Sequence, residues 1–255
     1  MNCKGLIILI FSVFGMNSQF MANEGHYEDL YEKANEVYKA GNYDSAKVLY
    51  SEIIQNGMVS SELFYNLGNT FYKKGNIPEA ILFFERAHRL SPNDEDIKYN
   101  LDIANTYITD KITPLENVFF TKWWESITYA FSVTTWSVLF ILLLFAAAAL
   151  FTLFGVSNNR KVKQLGLLGG GFVLGASIVV ILLTNSAFNK LNLNQAIVFS
   201  PTVNIKSEPG LNAMDQFVIH EGLKVEIIDT DGDWTRIRLS DGNSGWLQSQ
   251  SIEKI

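Results

Sequence analysis

Two long uncharged runs constrain this chain more than any other feature. No Asp, Glu, Lys or Arg lies between Glu125 and Arg160, and none lies between Lys163 and Lys190. Their apolar centres are Val133 to Gly155 and Leu165 to Thr184. At about 1.5 Å rise per residue, such a run crosses a hydrocarbon core of about 30 Å. Between them stands Ser157-Asn158-Asn159-Arg160-Lys161-Val162-Lys163. Positive charge in a short loop is kept on the cytoplasmic side. The pattern therefore predicts a two-helix transmembrane hairpin, 131–155 and 165–184, around a cytoplasmic loop, 156–164. Arg160, Lys161 and Lys163 set the topology and leave both flanks on the far side. No charged residue interrupts either run, which argues against a proton path or transporter. Gly166, Gly170, Gly171 and Gly175, with the alanines from Ala146 to Ala149, favour close helix approach, within the hairpin or with another membrane protein.

The N-terminal flank begins with an export signal over residues 1–22. Lys4 precedes a short apolar core from Gly5 to Gly15, and the segment is either cleaved or kept as an anchor. Residues 23–110 then carry an internal repeat. Ala34 and Gly68, Asn35 and Asn69, Gly41 and Gly75, Ala46 and Ala80, and Tyr50 and Phe84 are all separated by 34. Tyr65-Asn66-Leu67 returns as Tyr99-Asn100-Leu101 at the same offset. Self-similarity at such a period marks stacked helical hairpins. Gly41 and Gly75 are read as helix ends needing the left-handed conformation, and Asn42 and Asn76 as caps of the next helix. Pro92 stops the second helix of the second copy.

These positions resemble the tetratricopeptide repeat family. Phe64, Leu67-Gly68, Phe71, Ala80, Phe84, Ala87 and Pro92 carry the resemblance in repeat 61–94. Repeat 27–60 fits less fully, with Lys33 and Met58 at positions usually leucine and proline, and 95–110 is read as a capping helix. The resemblance implies a groove lined by the first helix of each pair. It would carry Tyr31, Asn35, Tyr38 and Lys39, then Tyr65, Asn69, Tyr72 and Lys73, then Tyr99. Family members that clamp a terminal carboxylate use lysine where Tyr31 and Tyr65 stand, so that mode is disfavoured. An array that only packs on its own membrane segment is the plainer reading.

Residues 111–130 are an interfacial linker. Pro114 opens a short helix with Leu115, Val118, Phe119 and Trp123 on one side, and Phe120, Trp124 and Tyr129 add the aromatic bulk favoured at headgroups. Residues 196–255 change to short strands: Val203 to Lys206, Gln216 to His220, Leu223 to Ile228, Trp234 to Leu239 and Gly245 to Gln248. Asp231-Gly232 and Asp241-Gly242 supply hairpin turns. The region resembles the bacterial SH3-like family through Val203–Gly210, Glu221–Val225, Asp233–Arg238 and Gly242–Leu247. Lys206 stands where arginine is usual. Trp234 and Trp246 either complete the small core or line a ligand groove with Asp233. Asp229, Asp231 and Asp233 lack the glycine and glutamate positions of a calcium loop and read as a polar turn.

The fold class is thus multidomain: an all-α tetratricopeptide repeat array, a two-helix transmembrane hairpin and an all-β SH3-like small barrel. The net charge is −6, and residues 23–110 hold 15 acids against 8 bases, so nucleic acid is not an expected partner. Cys3, inside the signal, is the single cysteine, and His26, His88 and His220 lack metal-ligand spacing. No nucleophile–base set, phosphate loop or framed carboxylate pair appears, so no enzyme and no cofactor or metal is expected. The domain order resembles the BatE-like proteins of the Bacteroides aerotolerance operon. That resemblance implies an inner-membrane scaffold with both soluble domains in the periplasm. Its partners would be membrane proteins with von Willebrand A-type domains, in a complex tied to aerotolerance or envelope stress. A peptidoglycan-sensing protein acting through the barrel is the second expectation.

Overall fold

A computed structural model describes residues 26–113, 119–191 and 194–255. The signal segment and the positions Pro114, Leu115 and Val118 lie outside the described residues. The chain forms two compact units: the residues up to Thr113 together with Asn194–Ile255, and Pro114–Leu193.

In the first unit, α1 (residues 26–39) and α2 (Tyr43–Gln55) form one helical hairpin. Next come α3 (Ser61–Lys73) and α4 (Ile77–Leu90), then α5 (Glu95–Thr106). Gly41 and Gly75 take φ of 80° and 79°, the left-handed value expected of them. Asn42 caps α2 by accepting from the Ser45 amide at 3.2 Å, but Asn76 makes no capping bond. Pro78 occupies the first turn of α4 instead, where its missing N–H costs no helical bond. The repeat governs packing too. Tyr50 and Phe84, one repeat apart, are both fully buried, and a methyl on Gly68 would stand 2.7 Å from Phe84 Cδ1.

The C-terminal part is an antiparallel sheet of seven strands. These are β1 (Gln195–Val198), β2 (Thr202–Lys206), β3 (Asp215–His220), β4 (Lys224–Asp231), β5 (Trp234–Arg238), β6 (Ser244–Gln248) and β7 (Ile252–Lys254). They are ordered β3-β2-β6-β5-β4-β1-β7. Inward residues from the two ends of that order, Ile205 and Ile219 with Ala196 and Val198, share one core, so the sheet curls into the small barrel. The sequence pattern lacks β1 and β7, which pair with each other. Asp231 pairs with Trp234, so the β4–β5 turn centres on Gly232 and Asp233, one residue later than read.

The array and barrel are continuous. Ile197 of β1 is fully buried in one cluster with Ala80, Ile81, Leu82, Phe84, Leu101 and Ala104. Ile108 and Ile112, beyond α5, pack on the barrel core. A short helical array leaves its last hydrophobic face without a neighbour. Here the barrel covers that face.

In the second unit, α6 (Phe119–Tyr129) precedes α7 (Val133–Val156) and α8 (Arg160–Leu191). Both long helices pass the length and composition required for a membrane span. Only 6% and 22% of their most apolar windows are buried, whereas the core helix of a soluble protein would be mostly covered. The α8 helix begins at Arg160, five residues before the expected span, so the basic residues lie in its first turn and only 157–159 connect the helices. Gly166 meets the α7 backbone at Leu150 and Phe154, and Gly170 lies against the Phe151 ring, whereas Gly171 and Gly175 face open space. The first small-residue pair therefore packs the hairpin and the second does not. Of the four alanines, Ala147 is the buried one. The linker aromatics divide likewise: Trp124 donates to Ser186 Oγ at 3.2 Å and joins the α7–α8 cluster, while Trp123 is 55% exposed.

Candidate functional site

The repeat brings one polar constellation together twice. Asn66 Nδ2 donates to Tyr31 Oη at 2.8 Å and to Asn35 Oδ1 at 3.1 Å. One repeat on, Asn100 Nδ2 donates to Tyr65 Oη at 2.8 Å and to Asn69 Oδ1 at 2.9 Å. These rungs tie first helix to first helix, α1 to α3 and α3 to α5. The Tyr31 ring lies 6.0 Å from Tyr50, and the Tyr65 ring 5.9 Å from Phe84, again at equivalent positions. Tyr50 also donates to Asn35 Oδ1 at 2.6 Å, a bond Phe84 cannot reproduce for Asn69.

The structure thus unites Tyr31, Asn35, Tyr65 and Asn69 and adds Asn66, Asn100 and Tyr50 to them. The recurring Tyr-Asn-Leu triplet was the sequence signal for Asn66 and Asn100. Tyr72 donates to Tyr107 Oη at 3.2 Å, and Tyr38 packs edge-on against Tyr43. Lys39, Lys73 and Tyr99 are exposed.

Burial, the largest influence, raises the hydroxyl pKa of Tyr31, Tyr38 and Tyr50. For Tyr31 the bonds from Asn35 and Asn66 oppose that rise, and Glu62 adds to it. These phenols are neutral donors at physiological pH. Donation to Tyr107 raises Tyr72 as well. Lys74 holds the Asp44 carboxyl below its usual range through a bond and its charge, on an exposed edge of the array.

On the barrel, Thr235, Ile237, Gly245 and Leu247 point inward, so Trp234, Arg236, Arg238 and Trp246 point outward. Neither indole joins the core, and both are half-buried. Trp246 sits between Lys206 and Arg236 in cross-strand register. Lys206 pairs with Asp215 at 2.6 Å. Asp233 is exposed in the adjoining turn, and its carbonyl accepts from Ser249 at 2.8 Å. Trp234 and Trp246 therefore lie on one outer face, with Asp233 in the turn beside Trp234.

Polar contacts absent from the sequence reading cross from array to barrel. Lys224 donates to Glu85 at 2.7 Å. Asp110 accepts from the His220 amide at 2.6 Å and pairs with its Nδ1 at 2.9 Å. Arg86 donates to the Lys254 carbonyl at 2.7 Å, and Arg89 to that of Ile255 at 2.8 Å. Among the described residues no cluster of three metal-ligating side chains occurs.

Residues 61–94 match the tetratricopeptide repeat family, and residues 201–253 match the bacterial SH3 domain family. The chain is 30% identical over 82 residues to the putative N-acetylmuramoyl-L-alanine amidase YrvJ of Bacillus subtilis (strain 168). That alignment takes in 30% of this chain and 16% of the amidase, and it covers the SH3-like part. Repeat and barrel are non-catalytic binding modules, so the chain combines a protein-interaction module, an SH3-like module and two apolar helices.

Proposed function

We propose that the protein is a membrane-anchored scaffold that holds a protein partner on its repeat array. The observation that carries this is the doubled tyrosine–asparagine rung, a large, rigid and polar surface built twice with one geometry. Tyrosines give wide contact at low entropy cost. The two apolar helices anchor the scaffold. Because the array and barrel bury each other, the segments before and after the hairpin belong on one side of the bilayer. The basic turn argues that this side is outside the cytoplasm, which is the periplasm of an inner-membrane protein. Membrane proteins with von Willebrand A-type domains, in an aerotolerance or envelope-stress complex, are the partners suggested by the BatE-like domain order.

The test is capture. Asn69→Ala combined with Tyr72→Ala should cut co-purification of cross-linked partners from detergent-solubilised membranes, while helix content and insertion are kept. Unchanged capture would remove the groove from the account.

The amidase likeness and the outward indoles favour a second reading, in which the barrel binds peptidoglycan. Trp234→Ala with Trp246→Ala should then abolish sedimentation of the purified protein with cell-wall sacculi. Equal sedimentation of the variant and the parent chain counts against this reading.

A further inference from the structure

The rungs that build the array's face also spend most of its hydrogen-bond acceptors. A carboxamide oxygen has two lone pairs. Both are taken at Asn35, by Asn66 and Tyr50. At Asn69 one is taken, by Asn100. The oxygens of Tyr31 and Tyr65 accept from Asn66 and Asn100. What remains to offer a ligand is almost wholly donors: two phenol O–H groups, the amide hydrogens of Asn69 and the Asn35 hydrogen that is not turned to Tyr31. A two-point grip on a peptide unit, which needs an acceptor beside a donor, is blocked at Asn35 and open at Asn69. The ligand must therefore supply acceptors.

Charge decides which acceptors. Glu28, Glu62 and Asp96 recur at intervals of 34 on α1, α3 and α5, and all three are exposed. Glu62 lies close enough to Tyr31 to raise its hydroxyl pKa. Lys39 and Lys73 stand at the far ends of α1 and α3, eleven residues from Glu28 and Glu62, or about 16 Å along each helix. Carboxylates approaching the rungs meet like charge, which costs them affinity and so discriminates against them. Backbone carbonyls carry no such penalty.

Resting on the partner-binding reading above, we propose that the array selects an extended, neutral or basic protein segment, read through its carbonyl oxygens by Tyr31, Asn35, Tyr65 and Asn69. The acid column excludes acidic segments and free carboxyl termini. This is the opposite of a carboxylate clamp.

The full-length protein in detergent micelles would be titrated into two fluorescent, amide-capped ten-residue peptides, one of serine and lysine and one of serine and glutamate. Anisotropy should report about tenfold tighter binding of the lysine peptide, with the preference shrinking as salt rises. Glu28→Gln, Glu62→Gln and Asp96→Asn together should erase the preference while circular dichroism stays unchanged. Preference for the glutamate peptide, equal binding of both, binding of neither, or a preference that survives the triple variant each overturns the proposal. The capture assay separates the two levels. Capture that is lost in the Asn69 and Tyr72 double variant but indifferent to the triple variant sinks this selection and leaves the scaffold reading standing. Capture indifferent to both sinks the two together.

Discussion

Ile197→Ala should destabilise the helical array by about 2–5 kcal/mol, although Ile197 belongs to a barrel strand. Its side chain has no solvent exposure and is packed among residues of α4 and α5. The polar contacts around it are weaker candidates for holding the seam. Arg86 and Glu253 meet at 3.2 Å on an exposed edge, with the carboxylate 55% exposed, and such a pair contributes about 0–1 kcal/mol. Glu85 is 9% exposed at its side chain, but Lys224 keeps 40% exposure, so solvent screens that pair too. Apolar burial therefore dominates, and the ion pairs fix orientation. The consequence is cooperativity: loss of apolar bulk from one barrel strand should loosen α4 and α5, which lie far earlier in the chain. Amide hydrogen exchange of the full-length protein in micelles measures this directly. Faster exchange in α4 and α5 as well as in β1 and β4 is expected. Acceleration confined to the strands would show that array and barrel are separate folding units.

The helical half of this unit could be read because its information is local. The 34-residue offset recurs in glycine, alanine and aromatic positions whose roles depend on the same hairpin, and Gly41 and Gly75 adopt the backbone that only glycine takes cheaply. Asn76 stands at the N-cap of α4 as read, but its side chain makes no capping bond, and Pro78, two residues on, supplies a second way to start the helix. The seam was not legible, since Glu85 and Lys224 are 139 residues apart and neither carries a local signature. Strands β1 and β7 were missed for the same reason. Four residues and three residues make no alternation by themselves, and each strand exists through its partner across the barrel. The indoles are a different case. Thr235 and Ile237 alternate with Trp234 and Arg236, so a period of two already directed Trp234 outward. The choice left open for Trp234 between core and groove was therefore already weighted toward the outer face by the alternation itself. In the groove, the tyrosines and asparagines were visible as a set, but the commitment of the Asn35 oxygen depends on Tyr50 and Asn66, which lie 15 and 31 residues away.

Neutralising Arg160, Lys161 and Lys163 together should scramble the orientation of the hairpin while leaving α8 no less stable. All three sit in or beside the first turn of that helix, where its macrodipole is positive. Cations there are unfavourable by about 0.3–1 kcal/mol each when exposed, so helix formation does not account for them. The orientation proposed above would account for them, because positive charge beside a short turn is retained in the cytoplasm. The local and topological effects of the substitution therefore have opposite signs. Because both flanks of the hairpin are built into one packed unit, one helix cannot invert alone without pulling Ile197 out of its cluster. Molecules should be found wholly in one orientation or wholly in the other. A cysteine placed at Ser157 in a Cys3→Ser background reads the outcome. With the three charges present, a membrane-impermeant maleimide should leave it unlabelled in intact cells, and with them removed a substantial fraction should react. Labelling at Ser157 while Arg160, Lys161 and Lys163 are intact would place the turn outside and reverse the compartment assigned to both soluble modules.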